Sequence, residues 1–315
     1  MRPSDQRSPR SRNATMPPQT ALRSVASFAD LWIGRRAHPD PQALAATSGL
    51  APAVVVTGAS RGIGRALAMR FARADRDVVL IARDEEALAT AAADIARSTA
   101  VRAVPLALDV TLADTPERLD AALRAAGLYA DVLVNNAGIG LAGAFATQSA
   151  QDLDRLIALN ITAATRLMHH ALPQMLARGR GGILNIASLG ALVPGPHQAA
   201  YYASKAYLLS LTEAVAHEAR GRGVRIAAVA PGPVDTKFHR TMQAESALYR
   251  TLVPALRAET VARSAYRGYQ LGRTVIVPGV LASLAALAVK LVPHPVTVPI
   301  VGALLAVRGA ERDRS

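Results

Sequence analysis

The stretch VVVTGASRGIGRAL, from Val54 to Leu67, does most to limit how this chain can fold. A run of β-branched residues breaks at Gly58, Gly62 and Gly64 and resumes at helical spacing, which reads as a strand, a tight turn and a helix. Glycine lets a backbone turn sharply and approach another molecule with no Cβ in the way. The helix that follows aims its free N–H groups, and the positive end of its dipole, at whatever lies before the turn. A phosphate is the natural occupant. Taken alone, such a turn also serves close packing, and the rest of the chain has to decide between the two readings.

From Pro52 onward, short apolar strand candidates alternate with helical patterns in the rhythm of parallel strands joined by crossover helices. The candidates are AVVVT, DVVLIA, VRAVPLAL, DVLVN, GILNIAS, VRIAAVA and TVIV, with long amphipathic helices over Asp152 to Arg178 and Ala199 to Arg220. Seven strands with helices on both faces predict an α/β fold with a doubly wound parallel sheet. Its ligand belongs at the carboxyl ends of the strands, where the glycine turn lies.

A chain of 315 residues, 51% hydrophobic, can bury a large core. It has no cysteine, so disulfides, thiolate zinc sites and cysteine nucleophiles are excluded together. The net charge of +13 comes from 36 Lys and Arg, of which only Lys205, Lys237 and Lys290 are lysines. The arginines are scattered among alanines, and aromatics reach only 4%, so no nucleic-acid partner is expected.

Three regions follow. Residues 1–50 form an Arg-, Pro- and Ser-rich arm, with one short amphipathic helix over Thr20 to Gly34 and Met16 as an alternative start. The arm has no apolar core of signal-peptide length, so a cytoplasmic protein is expected. Residues 51–277 form the α/β domain, and 278–315 an apolar helical extension. From Thr274 to Val307 only Lys290 and His294 titrate near neutrality, and prolines divide the stretch into pieces shorter than the ~20 apolar residues needed to span a bilayer. The extension therefore either packs on the body or makes peripheral contact with a membrane.

The segment YYASKAY places Tyr201 and Lys205 four apart on one helix face. A phenol ionises near pH ~10, and an adjacent ammonium favours phenolate, which turns Tyr201 into a usable acid or base. GGILNIASLGA ends a strand at Ser188, thirteen positions earlier, where a hydroxyl can face that tyrosine. VLVNNAGIG ends the preceding strand at Asn135 and Asn136, and ALNIT sets Asn160 within a long helix.

With these motifs in order, the chain resembles the short-chain dehydrogenase/reductase family over about Ala51 to Val277. The resemblance rests on T-G-x-x-x-G-x-G at Thr57 to Gly64, N-N-A-G at Asn135 to Gly138, Asn160 and Ser188. It continues with Y-x-x-x-K at Tyr201 and Lys205, and P-G at Pro231 and Gly232 followed by Thr236. It implies a Rossmann fold, a nicotinamide cofactor and a catalytic set of Asn160, Ser188, Tyr201 and Lys205. In that set Tyr201 is the general acid, Ser188 orients the carbonyl oxygen, Lys205 bonds the ribose, and Asn160 holds a water that relays protons to Lys205. Cofactor contacts are implied for Gly58, Ser60, Arg61, Gly62, Ile63, Gly64, Arg83, Asp109, Val110, Asn136, Ala137 and Gly138. Tyr201, Lys205, Pro231, Gly232, Val234 and Thr236 complete them, with Asp109 near adenine; a strand-exit cap is the other reading of Asp109. A homo-oligomer through the two long helices is also implied.

Arg83, ending the second strand, and Arg61, in the turn, suit a 2′-phosphate, so NADP(H) is expected over NAD(H), although Asp84 pulls the other way. The helical insert over 236–272 stands where this family builds its substrate lid. Phe238, Met242, Leu248, Tyr249 and Leu252, with Leu189, Val193 and His197 across the cleft, suit a bulky hydrophobic carbonyl or alcohol substrate. No metal-ligand spacing such as H-E-x-x-H occurs, and none is needed for hydride transfer. The alternatives are an NAD-linked alcohol dehydrogenase and a non-catalytic NADPH-binding sensor.

Overall fold

The computed structural model describes residues 39–236, 238 and 254–306. The arm's expected helix over Thr20 to Gly34 lies outside the described residues, as do Met242, Leu248, Tyr249 and Leu252 of the insert.

Seven strands form one parallel sheet: β1 Ala51–Thr57, β2 Asp77–Ala82, β3 Ala103–Ala107, β4 Leu128–Asn135, β5 Gly181–Ile186, β6 Val224–Val229 and β7 Val275–Ile276. Their order is β3-β2-β1-β4-β5-β6-β7. All seven expected strands are present, and their near-continuous apolar runs are what a sheet covered on both faces requires. Successive residues of β1 alternate between two cores. Val54 and Val56 join Leu67, Phe71, Leu88 and Val261 on one face. Ala53 and Val55 join Leu119, Leu123, Met168 and Met175 on the other.

Helices α1 Pro41–Ala45, α2 Gly62–Ala72, α3 Glu85–Ser98 and α4 Thr115–Ala125 are followed by α5 Ala150–Ile157 and α6 Ala164–Arg178. Then come α7 Ala199–Glu218, α8 Ala258–Gln270, α9 Val280–Leu291 and α10 His294–Leu305. The single helix expected over Asp152 to Arg178 is instead two, joined by a π-helical turn at Ala158–Ala163. That turn, a feature found frequently at functional sites, carries Asn160, whose bonds to the chain after β4 hold it in place.

Sheet growth reverses between β1 and its neighbours β2 and β4. The two crossovers leave on opposite sides and open a crevice above the strand ends, which is where a doubly wound sheet takes its ligand.

Candidate active site

The glycine turn is fixed from within. Thr57 Oγ1 accepts from the backbone N–H groups of Asn136 and Ala137, each at 3.0 Å. The Asn136 amide donates back to the carbonyls of Thr57 and Gly58, at 2.9 and 3.1 Å. Gly58 has φ +65°, and a Cβ on it would stand 2.8 Å from the Asn136 amide nitrogen. Gly64 is buried, and a Cβ there would collide with the Gly58 carbonyl and the Asn136 amide. Close packing of helix against strand therefore accounts for Gly64, while Ser60, Arg61, Gly62 and Ile63 line the open cleft. Arg61 precedes α2 without a side-chain cap, so the first N–H groups of that helix have no side-chain acceptor.

The cleft has a volume of about 1910 Å³. Apart from Gly64 and Asn160, every position expected to be catalytic or to touch the cofactor lines it: the turn, Arg83, Asp109, Val110, Asn136 to Gly138, Ser188, Tyr201, Lys205, Pro231, Gly232, Val234 and Thr236.

Lys205 is buried, with 4% exposure, and its Nζ donates to the Ile186 carbonyl at 2.8 Å. Burial pulls its pKa down to about 8. Its Nζ lies 5.9 Å from the centre of the Tyr201 ring. Phe238, in the insert, has its ring centre 5.6 Å from that of Tyr201. Ser188 Oγ accepts from the Gly190 N–H at 3.1 Å, which leaves the hydroxyl proton to donate.

Asn160 sits behind the cleft rather than on its wall. Its Oδ1 accepts from Ile139 N–H at 2.9 Å, and its Nδ2 donates to the Ile139 carbonyl at 2.8 Å and to Ser204 Oγ at 3.1 Å. Ser204 in turn donates to the Tyr201 carbonyl at 2.7 Å. Gly138 passes so close that a Cβ on it would stand 3.2 Å from Asn160 Oδ1 and 3.4 Å from Lys205 Nζ. Ser204 escaped the sequence reading because its partner lies forty-four positions away.

Asp109 is an Asx cap, with Oδ1 accepting from Thr111 N–H at 2.9 Å and Thr111 Oγ1 at 2.7 Å. Burial works to raise its pKa, but these two bonds and the Arg83 charge outweigh it and hold the carboxyl below its usual range. Asp84, the acid expected to oppose a 2′-phosphate, caps α3 by accepting from Ala87 N–H at 3.0 Å. It also stands 3.8 Å from Arg61, with both side chains more than half exposed.

Leu189 and Val193 line the cleft as expected. His197 does not. It is exposed at φ +63°, a left-handed turn in which its carbonyl accepts from Gly143 N–H at 2.8 Å. Gln198 beside it does line the cleft, and its buried Nε2 has no partner among the described residues. The chain just before the insert is tied to Leu256 within it, where Asp235 N–H donates to the Leu256 carbonyl and Leu256 N–H to the Pro233 carbonyl, each at 2.9 Å.

The family model described as short chain dehydrogenase matches residues 52–247. Among curated relatives, "Probable oxidoreductase EphD" of Mycobacterium tuberculosis is 34% identical over 231 residues, 71% of this chain and 38% of that protein. The chain thus spans well under half the length of that relative. Among solved structures, a short-chain dehydrogenase from Sphingobium yanoikuyae in complex with NADPH aligns with TM-score 0.68 and 31% identity, covering 76% of this chain and 92% of its own. A short-chain dehydrogenase/reductase from Burkholderia phymatum in complex with NAD aligns with TM-score 0.67 and 26% identity, covering 76% and 92%. The fold, the ordered motifs and the family match agree: this chain belongs to the short-chain dehydrogenase/reductase family.

Proposed function

We propose that the chain is an NADP(H)-dependent oxidoreductase that reduces the carbonyl of a hydrophobic substrate to an alcohol. The observation that carries the reading is that Tyr201, Ser188 and Lys205 line one cleft with the uncapped N-terminus of α2. That N-terminus and the bare backbone at Gly62 fit a pyrophosphate, and the bound nicotinamide supplies the hydride.

Tyr201 holds the proton that passes to the substrate oxygen, acting as general acid. Ser188 donates its hydroxyl proton to the same oxygen and fixes its orientation. Lys205 spends one N–H on Ile186 and keeps two for the ribose hydroxyls. Asn160 braces Ile139 and retains an Oδ1 lone pair for a water that relays protons towards Lys205.

Arg83 and Arg61 on the cleft wall support recognition of a 2′-phosphate, since guanidinium forks match phosphate oxygens bidentately. The use of Asp84 as a helix cap supports the same choice, because its carboxylate is already engaged. The Arg61–Asp84 pair favours a second reading, an NAD-linked alcohol dehydrogenase, in which that pair persists and the ribose carries no phosphate. The long helices α5 to α7 expose Ile157 and Tyr207, which supports a homo-oligomer through this face.

The test is NADPH oxidation with a panel of apolar ketones and aldehydes. Tyr201→Phe is expected to lower kcat about 10²- to 10⁴-fold with cofactor affinity retained. Full activity in that variant, or oxidation of no carbonyl compound by the wild type, contradicts the reading.

A further inference from the structure

Gln198 is a buried polar side chain to which neither the fold nor the proposed reaction gives work. It is 3% exposed and lines the cleft together with Tyr201 and Tyr202. It stands directly before α7, where a polar side chain ordinarily caps the helix, yet it makes no side-chain cap bond. Its Nε2 has no partner among the described residues. A buried donor without an acceptor destabilises the fold, and an occupant of the cleft that brings an acceptor removes that penalty.

The backbone holds Gln198 in this place. His197 adopts φ +63°, which a residue with a Cβ rarely takes, and the turn there leaves His197 exposed and brings Gln198 onto the cleft wall. Backbone strain of this kind gathers at ligand sites. Gln198 N–H donates to the Gly195 carbonyl at 3.1 Å, and the Gln198 carbonyl accepts from Tyr202 N–H at 3.0 Å. Gly195 lies so close to Tyr202 that a Cβ on it would stand 2.4 Å from the ring.

The surroundings say what the occupant brings. Gln198 and Tyr201 are three apart at the start of α7, a spacing that sets Cβ atoms about 5–6 Å apart. Tyr201 and Ser188 serve the oxygen of the reacting carbonyl. Phe238 stands beside Tyr201, and α10 packs on the turn that carries Gln198, where a Cβ on Gly302 would stand 3.2 Å from Pro196. Ala285 and Val301 of the α9–α10 hairpin line the cleft, while Leu284 and Ile300 are exposed. An amide brings no charge, so among these apolar groups it suits a neutral carbonyl oxygen better than a carboxylate.

We propose that Gln198 is a substrate-binding residue whose amide donates to a second, neutral carbonyl oxygen, a few bonds along the substrate from the carbonyl that Tyr201 protonates. The proposal rests on the oxidoreductase reading above and narrows its substrate to apolar ketones that carry an ester, thioester or amide group near the ketone.

The test compares ethyl benzoylacetate, a ketone with a neighbouring ester carbonyl, with hexanophenone, which has the same chain length and no ester, using NADPH with wild type and Gln198→Met. Wild type is expected to prefer the keto ester. In the variant, kcat/KM for the keto ester is expected to fall about 10- to 100-fold, chiefly through KM, while kcat/KM for hexanophenone and the affinity for NADPH stay within about twofold. Tm is expected to hold or rise, because the variant removes an unpaired buried donor. An unchanged preference between the two ketones overturns the assignment of Gln198 alone. So do equal losses on both ketones with a lower Tm, since the amide would then brace the turn. Reduction of neither ketone by wild type overturns the oxidoreductase reading and the assignment with it.

Discussion

Lys205 carries its charge where water does not reach, and burial brings its pKa from 10.5 to about 8. The unfolded chain binds its proton more tightly than the folded one between those values. Stability therefore rises with pH across that window, and below it the buried charge costs about 3 kcal/mol. Lys205→Met is expected to raise Tm at pH 7 and to flatten that rise, while reduction of any carbonyl is lost. A lower Tm in the variant, measured by thermal unfolding from pH 7 to 10, would show that the lysine is a structural asset. The same titration acts on function with the opposite sign. The ammonium offered to the ribose is lost as pH rises through about 8, so kcat/KM is expected to fall above that pH.

Between the elements, buried amides do what apolar packing cannot. Asn135 of β4 donates to Asn185 Oδ1 of β5 at 2.9 Å, and Asn185 donates to Thr212 Oγ1 of α7 at 2.8 Å. This chain ties the strands that bear the N-N-A-G motif and Ser188 to the helix that bears Tyr201 and Lys205. Asn185→Ala removes both bonds, although Asn135 keeps its donation to the Ala164 carbonyl and Thr212 its donation to the Leu208 carbonyl, and is expected to cost about 1–3 kcal/mol, read as a lower denaturation midpoint with an unchanged slope. A neutral result would mean that the two strands and α7 are held by packing alone. The sequence did not display this network, because Asn185 and Thr212 lie twenty-seven positions apart and neither breaks the hydrophobic period around it. The π-helical turn at Ala158–Ala163 was hidden for a related reason, since apolar spacing runs on through it and only the bonds of Asn160 to Ile139 demand it. Asp84, by contrast, was legible. An aspartate directly before a helical run is an N-cap by local rule, and weighing it only as a rival to Arg83 missed that role.

Across the whole molecule, the sheet was readable because each strand is a short β-branched or apolar run bounded by turn residues, and the site because its motifs stand at the carboxyl ends of those strands. The hairpin of α9 and α10 was only half readable. Its apolarity showed in the sequence, but the split into a face lining the cleft and a face left open is a property of how it packs beside Leu189–Leu192. The central claim is that this surface, from α2 to Tyr201, is an NADP(H) site with Arg83 on the 2′-phosphate. The most direct measurement is a fluorescence titration of wild type and Arg83→Ala with NADPH and NADH. Tighter binding of NADPH by wild type, falling about 10- to 100-fold in the variant to the NADH level while NADH is unaffected, is the expected result. Equal or tighter binding of NADH by wild type would contradict the phosphate assignment, and binding of neither would contradict the cofactor site itself.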